Sequence, residues 1–219
     1  MKRLLDYYKE CFDCVDSFHF NSEVSREVFV NALGNRVGYT IPITHQGILD
    51  NRRIRPFSNK GLVVGFIGND TPYKGLQILK ECVKDLNIQV MVWGGKKKDD
   101  GQIHYRGKYC QEWISEVFNE LDVLVVPSLW KETFSLVTLE ALSYGLPVIV
   151  SYNVGAKDIV MNYDEHFVFR NSDELRILLE ELCDNKEQLV KFNKKIMDME
   201  WNHNIQQHTM EIINKLYKG

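Results

Sequence analysis

Two glutamates, one at the end of a predicted loop and one inside the helix that follows, could bind hydroxyl-rich groups. A buried strand ends at Val126, a loop follows, and a helix begins near residues 133–135. Glu132 precedes this helix and Glu140 lies about six helical residues further, so the carboxylates are on the order of 10 Å apart. That is too far to share a proton, or for a retaining glycosidase pair at about 5 Å. The spacing suits a sugar and a ribose flanking a diphosphate, although two solvated helix residues would show it too.

A lysine and two glycines after another predicted strand could hold an anion. Lys74 is predicted in the first turn of a helix, where a cation opposes the helix dipole by roughly 0.3–1 kcal/mol and a bound anion would offset that cost. Gly68 lets the backbone approach a phosphate closely, and Gly75 follows the lysine directly. Taken alone, Lys74 is equally typical of a surface lysine. The free first-turn amides of the helix near Ser135 would face the same ligand.

These residues sit in a segment where apolar runs alternate with amphipathic stretches, from about residue 61 to 169. The runs of strand type are 62–67, 88–93, 103–105, 123–126 and 148–151, and helices are predicted near 71–86, 111–121 and 136–144. This alternation predicts an α/β fold, a Rossmann-like, doubly wound parallel sheet. Ligands bind such sheets at the carboxyl ends of the strands. The loops 68–74, 94–101, 127–135 and 152–158 are therefore expected to hold the site.

The flanks suggest four parts. Residues 1–43 are predicted to form a helix, a short strand, a second helix and an extended end, and residues 44–60 form a polar linker. Residues 61–199 would be the Rossmann-like domain, whose last part is helical. The final helix, within 200–219, carries an apolar stripe that needs a partner surface. We expect it to pack back on the N-terminal segment.

Composition narrows the classes of function. The chain has 219 residues, and 27 Lys and Arg against 30 Asp and Glu give a net charge of -3, which argues against nucleic-acid binding. No apolar run approaches the roughly 20 residues of a membrane span. Five scattered cysteines are typical of reduced thiols in a cytoplasmic protein. Neither the lone Cys11/Cys14 pair nor His203 and His208 predicts a metal site. The run 96–98 of three lysines predicts a solvated loop, with contact to an anion or a membrane surface as the alternative.

The motifs, in their order and spacing, resemble the C-terminal, donor-binding domain of retaining GT-B glycosyltransferases of the group 1, family 4-like type. The resemblance is specific over residues 61–160 and weaker over 15–43. The residues that carry it are Gly68, Lys74-Gly75, Glu132, Phe134-Ser135-Leu136, Leu139-Glu140-Ala141-Leu142, Gly145-Leu146-Pro147-Val148-Ile149 and Gly155.

The resemblance implies a UDP- or GDP-sugar donor, no further cofactor and no metal requirement. Lys74 would hold the diphosphate, Glu132 would face the donor sugar, and these two are the candidate catalytic residues. Glu140 would hold the ribose hydroxyls. The other candidate donor-binding residues are Gly68, Asn69, Gly94, Tyr105, Arg106, Phe134, Ser135 and Leu136. Of these, residues 134–136 would meet phosphate through their amides, and the base would lie near the strand carrying Tyr105 and Arg106.

Three positions depart from the family's usual pattern. Asn69 stands where the family has an arginine that joins the lysine on the diphosphate, so Arg106 or a residue from elsewhere would have to replace it. Thr133 and Ser135 replace the usual proline and glycine after the first glutamate. Ala156 replaces the second glycine of a later pair, and Asp158 follows it where the family has glutamate.

The length also departs from the family, because a GT-B enzyme has two Rossmann-like domains. Residues 1–43 resemble only the end of the N-terminal, acceptor-side domain. We therefore expect the donor-binding half of a glycosyltransferase that acts on a hydroxyl acceptor in polysaccharide or glycolipid synthesis, completed by an acceptor domain or a partner subunit. The alternative is a non-catalytic nucleotide-sugar-binding subunit. An epimerase of the same fold is disfavoured by the glutamate pattern. We expect the protein in the cytoplasm, either free or at the inner face of the membrane.

Overall fold

The structure is a computed structural model, and it describes residues 2–57, 60–95 and 98–217. Lys96 and Lys97 lie outside the described residues, and the prediction of a solvated loop at 96–98 falls largely on them. The helices are α1 (Lys2–Phe12), α2 (Glu23–Leu33), α3 (Leu76–Val83), α4 (Ile114–Asn119), α5 (Leu136–Ser143), α6 (Lys157–Tyr163), α7 (Ser172–Asp184), α8 (Glu187–Asp198) and α9 (Ile205–Ile212). The strands are β1 (Phe18–Phe20), β2 (Gly38–Thr40), β3 (Leu62–Ile67), β4 (Ile88–Trp93), β5 (Ile103–Gly107), β6 (Val123–Val126), β7 (Val148–Ser151) and β8 (Val168–Phe169).

Six strands form one parallel sheet in the order β5-β4-β3-β6-β7-β8. The chain moves outward from β3 to β5, then returns to the other side of β3 and moves outward from β6 to β8. This is the doubly wound order in which a crevice opens between the two halves. The predicted Rossmann-like fold class is confirmed. The topological switch point lies between β3 and β6, so the loops after these two strands border the crevice.

The sheet holds the core because its central strands are covered on both faces. All four residues of β6 and all four of β7 are buried. Strands buried on both faces appear as continuous apolar runs, and this is why they were recognisable from the sequence. The hydrophobic core continues from the sheet into α7 and α8 through buried Leu179, Leu182 and Phe192.

The structure departs from the predicted local structure in one helix that divides and in one helix that was not predicted. The predicted helix near 71–86 divides into a 3₁₀ turn at Pro72–Lys74 and the α-helix α3, so Lys74 is not in the first turn of an α-helix. The division occurs at Gly75, whose φ of +77° places it in the left-handed region. The sequence prediction also lacked α6, which begins without any side-chain cap and so shows no start signal.

The N-terminal segment forms its own small sheet, in which β1 pairs in parallel with β2. Its core is aromatic: Phe12 of α1 lies 5.3 Å from Phe29 of α2 and 5.6 Å from Phe18, measured between ring centroids. The C-terminal segment meets this unit, since the His19 and His208 rings are 5.9 Å apart. After α9, residues Ile213–Tyr217 form a π-helical turn instead of continuing the predicted helix. The interpretation of residues 1–43 as a domain remnant stays a prediction.

The described part of the linker 44–60 has no helix or strand, but it is firmly packed. Arg55 is buried and its Nη2 donates to the carbonyls of Phe118 and Leu121, at 2.6 and 2.7 Å. Burial lowers the pKa of this guanidinium to about 10, helped by nearby Arg53. Asn193 of α8 accepts the Arg55 amide hydrogen at 3.1 Å. The linker is therefore part of the domain's packing, which its polar sequence did not predict.

Candidate functional site

The loops after β3 and β6 meet at the switch point, where Lys74 and Glu132 are in contact. The Lys74 Nζ lies 2.7 Å from the Glu132 Oε1. The same two loops are joined by a backbone hydrogen bond, in which the Leu129 amide donates to the Tyr73 carbonyl at 2.8 Å. The structure thus brings together the two residues that the sequence singled out as catalytic candidates. Their roles stay predictions.

Lys74 reaches Glu132 because Gly75 lets the β3 loop approach the β6 loop closely. A Cβ added at Gly75 would lie 1.8 Å from the Pro127 carbonyl oxygen, so only glycine fits at this crossing. The lysine side chain is 38% exposed. Its ammonium therefore lies at the edge of the crevice, where it contacts Glu132 on one side and is open to solvent on the other.

Glu132 is buried and held from several directions. The Ser128 hydroxyl donates a short hydrogen bond to the same Oε1 that Lys74 contacts. The Glu132 amide donates to the Asn153 carbonyl at 2.9 Å, in the loop after β7. Ser128 was missed as a site residue, although its position next to Pro127 at the end of β6 could have indicated it. This glutamate is fixed in orientation, as a residue that positions a ligand should be.

The loop before α5 is fixed by close backbone crossings. The Phe134 carbonyl accepts the Ala156 amide hydrogen at 2.8 Å, and the Phe134 ring is buried in the core. The Thr133 carbonyl accepts the Ser22 hydroxyl at 2.7 Å, which joins the N-terminal segment to this loop. A Cβ at Gly155 would lie 2.4 Å from the Thr133 oxygen. These contacts set the position from which α5 begins.

Ser135 carries the largest positive φ of the described non-glycine residues. Its φ is +104°, a region that glycine adopts freely and other residues rarely do. Its hydroxyl is 2.9 Å from the Thr138 Oγ1, and its carbonyl accepts the Thr138 amide hydrogen at 3.2 Å. The amides of Leu136 and Val137, at the start of α5, precede any possible intrahelical acceptor. Together with the helix dipole, they form a place suited to an anion.

Glu140, inside α5, accepts three side-chain hydrogen bonds from outside the helix. Tyr109 donates to Oε2 at 2.8 Å, Gln111 donates to Oε1 at 2.9 Å, and the His45 Nε2 lies 3.1 Å from Oε1. Burial, together with the Glu140 charge, raises the pKa of the Tyr109 phenol, which therefore remains a donor. None of these three partners of Glu140 was predicted from the sequence as a site residue. Tyr109 and Gln111 follow β5 at the carboxyl edge of the sheet, which was a usable signal, whereas His45 lies in a linker without any pattern.

Gly68 and Gly94 meet where β3 and β4 end. Gly94 has a φ of +100°, and a Cβ there would lie 2.4 Å from the Gly68 carbonyl oxygen. Asn69, in the position where the family has arginine, accepts the Thr71 hydroxyl at 3.1 Å. It brings no positive charge to the crevice.

Tyr105 and Arg106 lie on β5, at the edge of the sheet. The Lys80 Nζ lies 5.6 Å from the centre of the Tyr105 ring. The Arg106 guanidinium lies 4.0 Å from the Glu120 carboxylate at the end of α4. Its ion-pair partner is thus Glu120, so the idea that Arg106 supplies the missing cation of the diphosphate clamp gains no support from this geometry.

Among residues 2–57, 60–95 and 98–217, no three His, Cys, Asp or Glu side chains are grouped as metal ligands would be. Within the same part of the chain, no helix has both the length and the apolar character to cross a membrane.

The fold and the site define a doubly wound domain with an anion-suited crevice at its switch point. The sequence model of the family described as Glycosyl transferases group 1 matches residues 61–185. The chain belongs to this family, and the resemblance drawn from its motifs is confirmed.

Curated relatives match parts of the chain. It is 29% identical to the D-inositol 3-phosphate glycosyltransferase of Corynebacterium efficiens, over 41% of this chain and 26% of that protein. It is 24% identical to the glycogen synthase of Thermosipho africanus, over 75% of this chain and 38% of that protein. The chain thus spans well under half the length of these relatives.

Solved structures share the fold at low identity. The lipopolysaccharide outer core galactosyltransferase WaaB matches with a TM-score of 0.78 and 16% identity, over 98% of this chain and 66% of that one. HepE from Anabaena, in complex with UDP-glucose, matches with a TM-score of 0.76 and 16% identity, over 98% of this chain and 67% of that one.

Proposed function

We propose that this chain is the donor-binding half of a retaining glycosyltransferase, which takes a sugar from a UDP- or GDP-sugar and transfers it to a hydroxyl acceptor. The observation that carries the proposal is the 2.7 Å contact between Lys74 and Glu132 at the switch point of the sheet. A cation and a carboxylate held together there can bind the two ends of the bond to be broken, the diphosphate and the sugar.

The chemistry would be mainly electrostatic. An ammonium has three donor hydrogens, so Lys74 can keep its contact with Glu132 while it binds a phosphate oxygen. The first-turn amides of α5 would bind the same diphosphate. As the glycosidic bond breaks, negative charge grows on the leaving diphosphate, and donors already fixed in place stabilise it. Glu132, held by the Ser128 hydroxyl, would orient the sugar hydroxyls.

The acceptor side would come from elsewhere, either an acceptor domain or a partner subunit. The chain covers only 26%, 22% and 38% of the three curated relatives it matches, which leaves room in such proteins for a second domain. We propose a saccharide or a glycolipid as acceptor. The names of the relatives support this class, because they include a glycogen synthase and a lipopolysaccharide galactosyltransferase.

A second candidate function is a non-catalytic subunit that binds a nucleotide sugar and pairs with a catalytic partner. Asn69 favours this function, because its side chain accepts a hydrogen bond from the Thr71 hydroxyl and adds no cation to the crevice. With one cation fewer on the diphosphate, the leaving group would be less stabilised. Donor binding without sugar transfer, measured with the acceptor domain present, would favour this alternative.

The experiment that tests donor binding is a thermal-shift panel with UDP, GDP, ADP and their sugars. One base should raise the melting temperature, because a ligand at a hundred times its Kd stabilises the folded state by about 2.7 kcal/mol. Lys74→Ala and Glu140→Ala should each reduce the shift to about half or less, as a tenfold or greater loss of affinity predicts. Lys131→Ala is the matched control: this half-exposed lysine pairs with Glu27, and its loss should leave the shift intact. No shift for any nucleotide at millimolar concentration would overturn the proposal.

A further inference from the structure

Protein donors already occupy most of the hydrogen-bond acceptor positions on the Glu140 carboxylate. A carboxylate offers about four lone-pair positions, two on each oxygen. Oε1 receives Gln111 at 2.9 Å and lies 3.1 Å from the His45 ring, and Oε2 receives Tyr109 at 2.8 Å. Among the described residues, these three groups take three positions, and the fourth, on Oε2, has no described partner.

The contact of the His45 Nδ1 shows which group donates in the hydrogen bond between the His45 Nε2 and Glu140. The Gly47 amide donates to the His45 Nδ1 at 3.0 Å, so Nδ1 acts as an acceptor and Nε2 carries the proton. The Nε2–H therefore donates to Glu140. Gly47 also lies against Gln111, since a Cβ there would lie 2.5 Å from the Gln111 Oε1. The turn in the linker thus orients the His45 ring and lies directly beside the Gln111 side chain.

Little space remains around this carboxylate. The Glu140 side chain is 8% exposed, and the His45 side chain beside it is 29% exposed. Both donors that approach Oε1, from His45 and Gln111, lie beside the turn at Gly47. The position still free on Oε2 lies beside the Tyr109 hydroxyl, which burial keeps protonated.

We propose that His45, Gln111 and Tyr109 hold Glu140 so that it accepts one ligand hydroxyl, through Oε2, and not a pair of hydroxyls. This inference rests on the proposed function, in which Glu140 binds the ribose of a nucleoside diphosphate. Tyr109 is the specificity-determining residue in this arrangement, because it occupies the second position on the oxygen that faces the ligand. His45 and Gln111 are positioning residues that keep Oε1 filled.

The test is isothermal titration calorimetry with UDP, GDP and ADP, each beside its 2′-deoxy and 3′-deoxy form. For the base that binds, one deoxy form should lose about tenfold or more in affinity, as expected when a hydrogen bond to a charged group is removed. The other deoxy form should stay within about threefold of the parent. Comparable losses of tenfold for both forms, or no loss for either, would overturn the inference while leaving the proposed function intact. Failure of every parent nucleotide to bind would overturn both.

Tyr109→Phe separates this role from a merely structural one. It removes one donor and frees a second position on Oε2, so the affinity ratio between the two deoxy forms should shrink by at least threefold. A structural effect would weaken all three nucleotides alike and leave that ratio unchanged, which would count against the inference. Glu140→Gln provides an independent variant, because losing the charge should weaken the parent and reduce the penalty of the sensitive deoxy form.

Discussion

The Lys74 Nζ lies 2.7 Å from the Glu132 Oε1, although the two residues are carried by loops that follow different strands. The lysine side chain is 38% exposed, and ion pairs at this exposure contribute about 0–1 kcal/mol to stability. The pair is therefore a poor explanation for the fold's stability. Its place at the switch point is what the proposed function needs, because a cation and a carboxylate there could bind a diphosphate and a sugar.

Replacing each partner should separate binding of the diphosphate from binding of the sugar. Lys74→Met should weaken binding of UDP or GDP by about tenfold or more, because a charge-assisted hydrogen bond to phosphate is lost. Glu132→Gln should leave binding of the free nucleotide within about threefold, since it removes no contact to phosphate. The same variant should abolish any preference for one sugar nucleotide over another. Calorimetry on each variant measures these constants, and equal effects of both variants on UDP and UDP-sugar would contradict the assignment.

The close approach of the two loops should make Gly75 intolerant of a side chain. Gly75→Ala would place a Cβ 1.8 Å from the Pro127 oxygen at a φ of +77°. The matched control is Gly101→Ala, where φ is +57° but an added Cβ would meet no heavy atom of the described residues within 4 Å, its chain neighbours aside. The control should cost about 1–2 kcal/mol for left-handed backbone alone. Gly75→Ala should cost at least about 2 kcal/mol more, from overpacking. Urea denaturation of both variants measures the difference, and similar losses would show that the contact relaxes.

The sheet could be predicted from the sequence because its strands are buried on both faces. Runs such as 62–67 and 123–126 are apolar throughout, and the structure has strands at these bounds. The two glutamates could also be assigned to their elements, because β6 ends before the loop that holds Glu132 and α5 contains Glu140. Their predicted separation stays a prediction. Short turns were less predictable: Lys74 lies in a 3₁₀ turn because Gly75 ends it, and that depends on a contact with Pro127, far away in the sequence.

The partners of Glu140 could not be predicted either, because they are also brought to it by contacts between residues distant in the sequence. His45 belongs to a segment without periodicity, so neither hydrophobic pattern nor turn signal indicates where its ring lies. Arg55 is a second example: nothing in the polar linker sequence indicates burial, yet two carbonyls at the end of α4 accept hydrogens from its guanidinium. Contacts that join residues 63 and 95 positions apart are set by packing. Local sequence carries little information about them.

Backbone strain at Ser135 should reverse the usual ranking of alanine over glycine. Its φ of +104° disfavours any Cβ, so Ser135→Gly should be more stable than Ser135→Ala by about 1 kcal/mol. Both variants lose the hydrogen bond with Thr138, so the comparison isolates the Cβ. The difference corresponds to about 2–4 °C in melting temperature for a chain of this size. If alanine proves equal or better, the loop adopts an unstrained backbone in solution.

The stability of the folded chain should fall on mild acidification because of His203. Burial, with the nearby Arg52 charge, lowers the pKa of this imidazole from 6.5. The folded state therefore resists protonation, and in this window the unfolded chain binds more protons. Stability is complete above about pH 6.5 and is lost as the pH falls through the folded-state pKa. Arg52 stays charged at these pH values and does not titrate with the histidine.

Urea denaturation at pH 7.5 and pH 5.0 measures this effect. The pKa values of the Asp50 and Glu181 carboxyls are lowered from 3.8 and 4.5. Their contributions are therefore lost as the pH falls from these unfolded-state values to the lowered ones, which is mostly below pH 5.0. The wild-type chain should lose up to about 1.4 kcal/mol per pH unit from this one proton. His203→Gln keeps a polar, uncharged side chain and should show a shallower pH dependence, whatever its stability at pH 7.5. Equal slopes for the two proteins would mean that His203 is protonated in the folded state as readily as in the unfolded one.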